Sequence, residues 1–281
     1  MCHFGTAQRM FLWLKRYPSI ELVSMFDREF KTAVLAAKKA GRLLQTMSQG
    51  DLKVEYKGEI DLVTQADRAA EALVINMLKK QFPGDDILTE ETTRDRTQSD
   101  RRWIIDPLDG TTNYAHRFPF WCVSIAFEFK GQVVLGAIYN PNLNELFTAR
   151  KGRGAWLNGK KIKVSSQTSL KKSLLATGFP YDVHCSRKDN LDNFRRFIKR
   201  AQAVRRPGSA ALDLAFVACG RFDGFWEMKL KAWDMAAASL MVTEAGGKLS
   251  GFKGQVFSLY VPECLASNCR IHGQMKKVLA G

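Results

Sequence analysis

Asp106 and Asp109 stand three residues apart in the run Trp103-Ile104-Ile105-Asp106-Pro107-Leu108-Asp109-Gly110-Thr111-Thr112-Asn113, at the end of an apolar strand-like stretch. Two carboxylates, the main-chain carbonyl of Leu108 and the hydroxyl of Thr111 make an oxygen-rich donor set suited to hard cations beside a phosphate. Pro107 drives Asp106 toward extended backbone angles and removes an N–H that would compete with a cation. Gly110 permits the close backbone approach that a phosphate requires. A lone D-x-x-D is also a common capped turn, so the chemistry depends on partners elsewhere.

Two other segments supply them. Asp86-Ile87-Leu88-Thr89-Glu90-Glu91-Thr92 is a short apolar run ending in adjacent acids, able to lie beside the Trp103 strand, although such acids also occur in solvated loops. Trp233 to Gly247 reads as a helix with Asp234 as N-cap, small residues for close packing and a Gly pair as stop. A carboxylate at the mouth of so apolar a helix calls for compensation by a cation or by capped amides.

Taken with Asp61-Leu62-Val63-Thr64-Gln65-Ala66-Asp67, Gly208-Ser209-Ala210-Ala211-Leu212-Asp213-Leu214 and Asp223-Gly224-Phe225-Trp226-Glu227, these segments resemble the inositol monophosphatase family of magnesium-dependent sugar and polyol phosphatases, from about Phe26 to the C-terminus. Thr89 departs from the pattern, since the family more often has Gly or another small residue before the acid pair. The resemblance implies an α/β, α+β layered fold, an αβαβα sandwich, binding two or three Mg2+ ions. Glu90, Asp106 and the Leu108 carbonyl would hold the first ion; Asp106, Asp109 and Asp234 would hold the second, with Asp106 bridging. It further implies Thr111, Asp67 and Glu90 as the catalytic set, Thr111 positioning the attacking water with Asp67 behind it as acceptor. As a sequence position alone, Asp67 reads equally as an exposed helix acid.

The same resemblance implies a substrate site of Glu90, Leu108, Asp109, Gly110, Thr111, Gly208, Ser209, Ala210, Glu227 and Asp234. Amides of Gly110 and Thr111 would receive phosphate oxygens, and Glu227 would accept polyol hydroxyls unless it is only a strand-end carboxylate facing water. Lys57 lies near the place of a family loop that covers a third metal, at an insecure spacing. The expected reaction is direct attack by a metal-activated water on myo-inositol 1-phosphate or a similar polyol phosphate, without a covalent intermediate. Histidinol phosphate, fructose bisphosphate, glycerol phosphates and nucleotide phosphates remain alternatives. Lithium sensitivity and a homodimer also follow from the resemblance.

The elements that must position these groups are legible in outline. Helical spacing runs from Phe30 to Met47, through Phe30, Val34, Leu35, Leu43 and Leu44, and from Gln65 to Phe82. Strands are expected at Asp86–Leu88, Trp103–Ile105, Trp121–Phe129 and Val133–Tyr139, with turns at Lys130-Gly131 and Asn158-Gly159. The remainder mixes strand (Ser173–Thr177), basic helix (Leu191–Ala201), helix (Ser209–Ala218) and strand (Gly224–Glu227) before the Asp234 helix. With 281 residues, 46% of them hydrophobic, the chain can bury a large core. Residues 1–25 read as an N-terminal extension and 26–281 as one catalytic domain of two packed halves, about 26–165 and 166–281. No apolar run reaches membrane-span length, no secretory signal is evident, and six scattered cysteines suggest reduced packing residues. A cytoplasmic enzyme is the expectation.

Lys and Arg number 43 against 28 Asp and Glu, a formal net charge of +15 that a phosphatase does not require. Arg187, Lys188, Arg195, Arg196, Lys199, Arg200, Arg205 and Arg206 crowd one stretch, in which Leu191, Phe194, Phe197, Ile198 and Ala201 keep an apolar helical face. A solvated surface that attracts anionic substrates is the favoured reading. RNA or RNA-polymerase contact is the alternative, since some bacterial members of the family act in transcription antitermination.

Overall fold

The computed structural model describes residues 25–50, 54–56, 62–91 and 99–281, giving the backbone alone for 54–56 and 62–64. Residues 1–24 of the expected extension, and also Lys57 and Asp61, lie outside the described residues. Helix α1 (Asp27–Met47) turns Ala33, Ala36, Ala37, Ala40 and Leu44 inward. Small residues thus make the contact face, and Leu35, expected in the core, is 50% exposed. A two-stranded antiparallel hairpin of β1 (Val54–Tyr56) and β2 (Leu62–Thr64) leads into α2 (Gln65–Gln81). Then come β3 (Asp86–Thr89), β4 (Arg101–Asp109), the short helix α3 (Thr111–Ala115), β5 (Cys122–Phe129), β6 (Gln132–Asn140), β7 (Glu145–Arg150), β8 (Gly154–Leu157) and β9 (Lys160–Lys161). These strands form one sheet in the order β3-β4-β5-β6-β7-β8-β9, with β3 and β4 parallel and the rest antiparallel. The turns at Lys130-Gly131 and Asn158-Gly159 both carry paired positive φ angles, which suit a two-residue hairpin to the strand twist.

The second sheet comprises β10 (Leu174–Thr177), β11 (Ala203–Arg205), β12 (Gly224–Met228), β13 (Lys248–Ser250) and β14 (Glu263–Ser267), ordered β11-β10-β12-β14-β13. Helices α4 (Leu191–Ile198), α5 (Ala210–Ala218), α6 (Ala232–Glu244) and α7 (His272–Ala280) complete the described elements. Three apolar clusters show the layering. Trp103, Ile105, Val123, Ile125 and Phe127 pack one face of the first sheet on α1 and α2. Ile104, Ala126, Ile138 and Phe147 point to the opposite face and meet α5, α6 and the inner side of the second sheet at Phe225 and Ala266. Leu175, Trp226 and Leu265 pack its outer side on α4 and α7. The period-2 alternation of β4 and β5 therefore feeds two cores at once, and the result is an αβαβα sandwich.

Helix α4 ends at Ile198, short of its expected span, and the N–H groups of Arg200 and Ala201 both turn back to the Phe197 carbonyl. Its apolar face is also divided: Phe197 stacks on Trp226 at 3.9 Å and Phe194 meets Phe179, whereas Leu191 and Ile198 remain half exposed. Among the described residues every cysteine is free, and no helix is long and apolar enough to cross a membrane.

Candidate active site

β4 runs further than the apolar stretch suggests. It continues through Pro107 to Asp109, and its pairing with β5 slips between Asp106↔Ser124 and Asp109↔Cys122, one extra residue on the β4 side. The expected turn is thus a bulge, the feature that lets an interior strand accept a proline without an N–H. Asp106, almost fully buried, closes a local ring by accepting the Leu108 N–H on Oδ1 at 3.0 Å. Gly110 follows at φ +99°, and a Cβ there would stand 3.0 Å from the Phe120 carbonyl oxygen and 3.1 Å from Trp121 Cβ. Only glycine carries the chain through this corner without strain.

Thr111 opens α3, and its Oγ1 lies 3.1 Å from both Asp67 Oδ1 and the Leu108 carbonyl oxygen. Asp67, in the first turn of α2, is 0% exposed, so it is no surface helix acid. Thr89, the residue that departs from the family pattern, donates its hydroxyl to Glu71 Oε1 at 2.7 Å, and both are buried. That bond fixes the end of β3 immediately before Glu90.

The C-terminal half contributes two helix starts. Ser209 caps α5: its Oγ accepts the Leu212 N–H and donates to Asp109 Oδ2 at 2.6 Å, while the Ala211 N–H reaches the same oxygen at 2.7 Å. Asp109 therefore sits at the positive end of α5. Asn113 Nδ2 spans to Phe120 O and Pro207 O at 2.7 and 2.8 Å, tying the Gly208 segment to the β4 corner. Asp234 is not the N-cap of α6, as expected from sequence. Lys231 takes that position, and Asp234, in the first turn, accepts the Lys231 N–H on Oδ2 at 2.7 Å. The two apolar residues Ala232 and Trp233 are already helical and shift the start forward.

Burial is the first cause that pushes the Asp106 carboxyl well above its usual range, followed by the charges of Glu90, Asp109 and Asp234. Burial likewise raises Asp109 to about 6, against the opposing bonds from Ser209 and the α5 amides. Asp234 is pushed well up by burial and then by Asp109, with Glu90 and Glu227 contributing further on. The four acids thus act on one another across the site. Among the described residues no three ligand-type side chains close around an ion, since Asp106, Asp109 and Asp234 each direct an oxygen to a neighbouring N–H or O–H. The donor chemistry nonetheless fits magnesium: all-oxygen, acidic, partly buried and mutually repelling.

In front of these acids lies a cavity of about 340 Å³ lined by Asp109, Gly110, Gly208, Ser209, Ala210, Glu227 and Asp234. Glu90, Asp106, Leu108, Thr111 and Asp67 are not among its lining residues. Glu227 is raised to about 8, by burial first, with Arg206 opposing and Asp109 adding. Sequence reasoning left out three contributors to this cavity. Asp213 follows Ser209 by one helical turn, a spacing that could have signalled it. Arg206 was counted only as surface charge. The Phe179–Asp182 rim is held by Lys229, whose Nζ donates to both Asp182 carboxylate oxygens and to Ser186.

A sequence profile of the inositol monophosphatase family matches residues 27–281. The chain is 41% identical over 263 residues to the inositol monophosphatase of Dictyostelium discoideum, covering 90% of this chain and 95% of the relative. It is 43% identical over 242 residues to Nus factor SuhB of Escherichia coli K12, covering 85% and 91%. The solved inositol monophosphatase of Anabaena superposes with a TM-score of 0.83 at 40% identity, covering 91% of this chain and 96% of that one.

Proposed function

The chain belongs to the inositol monophosphatase family of metal-dependent phosphatases, and from that premise we propose that it hydrolyses myo-inositol 1-phosphate or a similar polyol phosphate. One observation carries the reading: Asp106, Asp109, Asp234 and Glu90 act on one another, and two of them, Asp109 and Asp234, share a cavity with Glu227. Glu90, Asp106, Asp109, Asp234 and the Leu108 carbonyl are the residues that would hold two or three Mg2+ ions. Bound there, magnesium supplies charge neutralisation, water activation and leaving-group stabilisation.

The chain's own groups do the rest. Asp67 accepts the Thr111 proton, which leaves a Thr111 lone pair to receive a hydrogen from the attacking water and aim it. The amides of Gly110 and Thr111 at the start of α3 donate to phosphate oxygens. Gly208, Ser209 and Ala210 shape the polyol side, and Glu227 accepts its hydroxyls. Direct displacement by water needs no nucleophilic side chain. Magnesium-dependent phosphate release across inositol, histidinol, glycerol, fructose and nucleotide phosphates tests this, with lithium inhibition as an added expectation. No release from any of them removes the enzyme claim.

A second reading has one observation in its favour. The relative named Nus factor shares most of this chain's length, and the basic run around α4 leaves Leu191 and Ile198 half exposed beside Arg195. RNA or RNA-polymerase contact there would weaken steeply with salt; affinity unchanged from low to high salt argues against it. A cytoplasmic homodimer completes the proposal, and light scattering measures its mass.

A further inference from the structure

Asp213 is buried in the first turn of α5, at 1% exposure, and it lines the same cavity as Glu227 and Arg206. Its Oδ1 has no hydrogen-bond partner. Buried polar atoms are almost always partnered, and one that is not calls for a role. The two adjacent amides are already engaged: the Asp213 N–H is spent on the Ser209 carbonyl, and the Leu212 N–H is turned to the Ser209 hydroxyl.

The neighbourhood says what the missing partner is. After burial, the charge that most raises the Asp213 carboxyl is that of Glu227, then that of Asp109, while Arg206 opposes. Asp213 is thus within electrostatic reach of both the polyol-side acid and the metal-side acid. Glu227 comes in from the second sheet, and its carboxylate lies so close against Gly178 that any Cβ there would overlap it. The glycine makes room for the acid, and two acids from different layers line one cavity, with the Arg206 guanidinium acting on both. Such a pair suits a ligand that brings several hydrogen-bond donors and no negative charge of its own at that end.

We propose that Asp213 is a specificity-determining residue, which together with Glu227 accepts hydrogen bonds from neighbouring hydroxyls of a polyol leaving group. The assignment rests on the phosphatase reading above and deepens it. A leaving group without hydroxyls strands both carboxylates and is discriminated against, because unmet buried acceptors are costly. Asp213 is none of the groups that would hold the metal or the phosphate, so its effect falls on binding and not on the bond-breaking step.

Myo-inositol 1-phosphate and cyclohexyl phosphate, the same ring without hydroxyls, separate the possibilities. In Asp213→Asn and Asp213→Ala the KM for inositol phosphate rises about tenfold with kcat within about twofold, while kcat/KM for cyclohexyl phosphate stays within about twofold. Equal losses on both substrates, or no loss on either, overturn the assignment. Circular dichroism and melting of the two variants show whether a loss reflects misfolding, and the near-isosteric Asn variant keeps the test decisive if Ala unfolds. Should the wild type hydrolyse neither substrate, the phosphatase reading fails separately. Calorimetric binding of myo-inositol 1-phosphate then decides: about tenfold weaker binding by Asp213→Asn supports the assignment, and equal or absent binding overturns it.

Discussion

Thr111 and Asp67, 44 residues apart in sequence, meet through a buried hydrogen bond of 3.1 Å that joins the start of α3 to the start of α2. The hydroxyl has one proton, and the Leu108 carbonyl is equally near. A carboxylate is the stronger acceptor, so the proton goes to Asp67 and the Leu108 oxygen stays available to a cation. The pair therefore does two things at once: it orients a hydroxyl and keeps the Leu108 oxygen unspent.

Asp67→Asn should accordingly lower kcat by about 10²- to 10⁴-fold with little change in KM, the range expected when a proton-handling group is lost. Thr111→Ala should match it and Thr111→Ser should recover activity to within roughly tenfold, since only the hydroxyl is required. Steady-state kinetics on the four proteins checks this. A KM effect with kcat intact would place the pair in substrate binding instead.

Ser209 and Asp109 join the two halves of the chain at the site. Ser209→Ala removes a 2.6 Å donor from the Asp109 carboxylate and the cap of α5 together. Loss of about 1–3 kcal/mol of stability is expected. Metal affinity should weaken about 10- to 100-fold, as for other groups that orient a ligand. Urea unfolding and magnesium titration measure the two effects; an unchanged magnesium affinity would show that Asp109 holds its position without Ser209.

His272 gives a pH-dependent contribution remote from the site. The ring is 4% exposed, between Ser250 Oγ at Nε2 and Ser267 Oγ at Nδ1, both 2.9 Å, and its pKa is lowered to about 4 by burial first and then by Lys248 and Lys276. The folded form holds the ring neutral, whereas an unfolded histidine protonates near 6.5. Its stabilising effect is therefore complete above pH 6.5 and is lost as pH falls toward 4, about 3 kcal/mol at most. In urea unfolding from pH 7.5 to 4.5, the gap between wild type and His272→Gln should close on the acid side. A gap independent of pH would mean that the ring does not titrate in this interval.

The long helices α1 and α2 were legible because a 3.6-residue pattern survives even where alanines make the contact face. Lys130-Gly131 and Asn158-Gly159 marked their turns through local backbone chemistry. β7 was missed, since Glu145–Arg150 mixes charged ends with an interior that only its neighbours β6 and β8 explain. Pro107 predicts an extended Asp106 ahead of a turn, whereas the strand runs on through a bulge, which is set by register with β5. Asp213 carried only the weak signal of its one-turn spacing from Ser209, and its nearness to Glu227, which comes from another layer, is set by sheet packing. Motifs revealed groups that act locally, and the sheet packing revealed those that act across the cavity.

Magnesium removal should expose the repulsion among the site acids. Asp106 is buried beside three other carboxylates that each raise it, so neutralising it should help the metal-free protein and harm the metal-bound one. At magnesium concentrations about 100-fold above Kd, wild type gains about 2.7 kcal/mol, a rise in melting temperature of roughly 5–10 °C for a domain of this size. Asp106→Asn should melt above wild type in EDTA, because a buried like-charge conflict has been removed, and should show little or no rise on adding magnesium. The crossing of the two proteins' stabilities is the signature, read by thermal unfolding in EDTA and in magnesium. If wild type melts at the same temperature in both, these acids do not hold the ion, and the metal assignment falls with them.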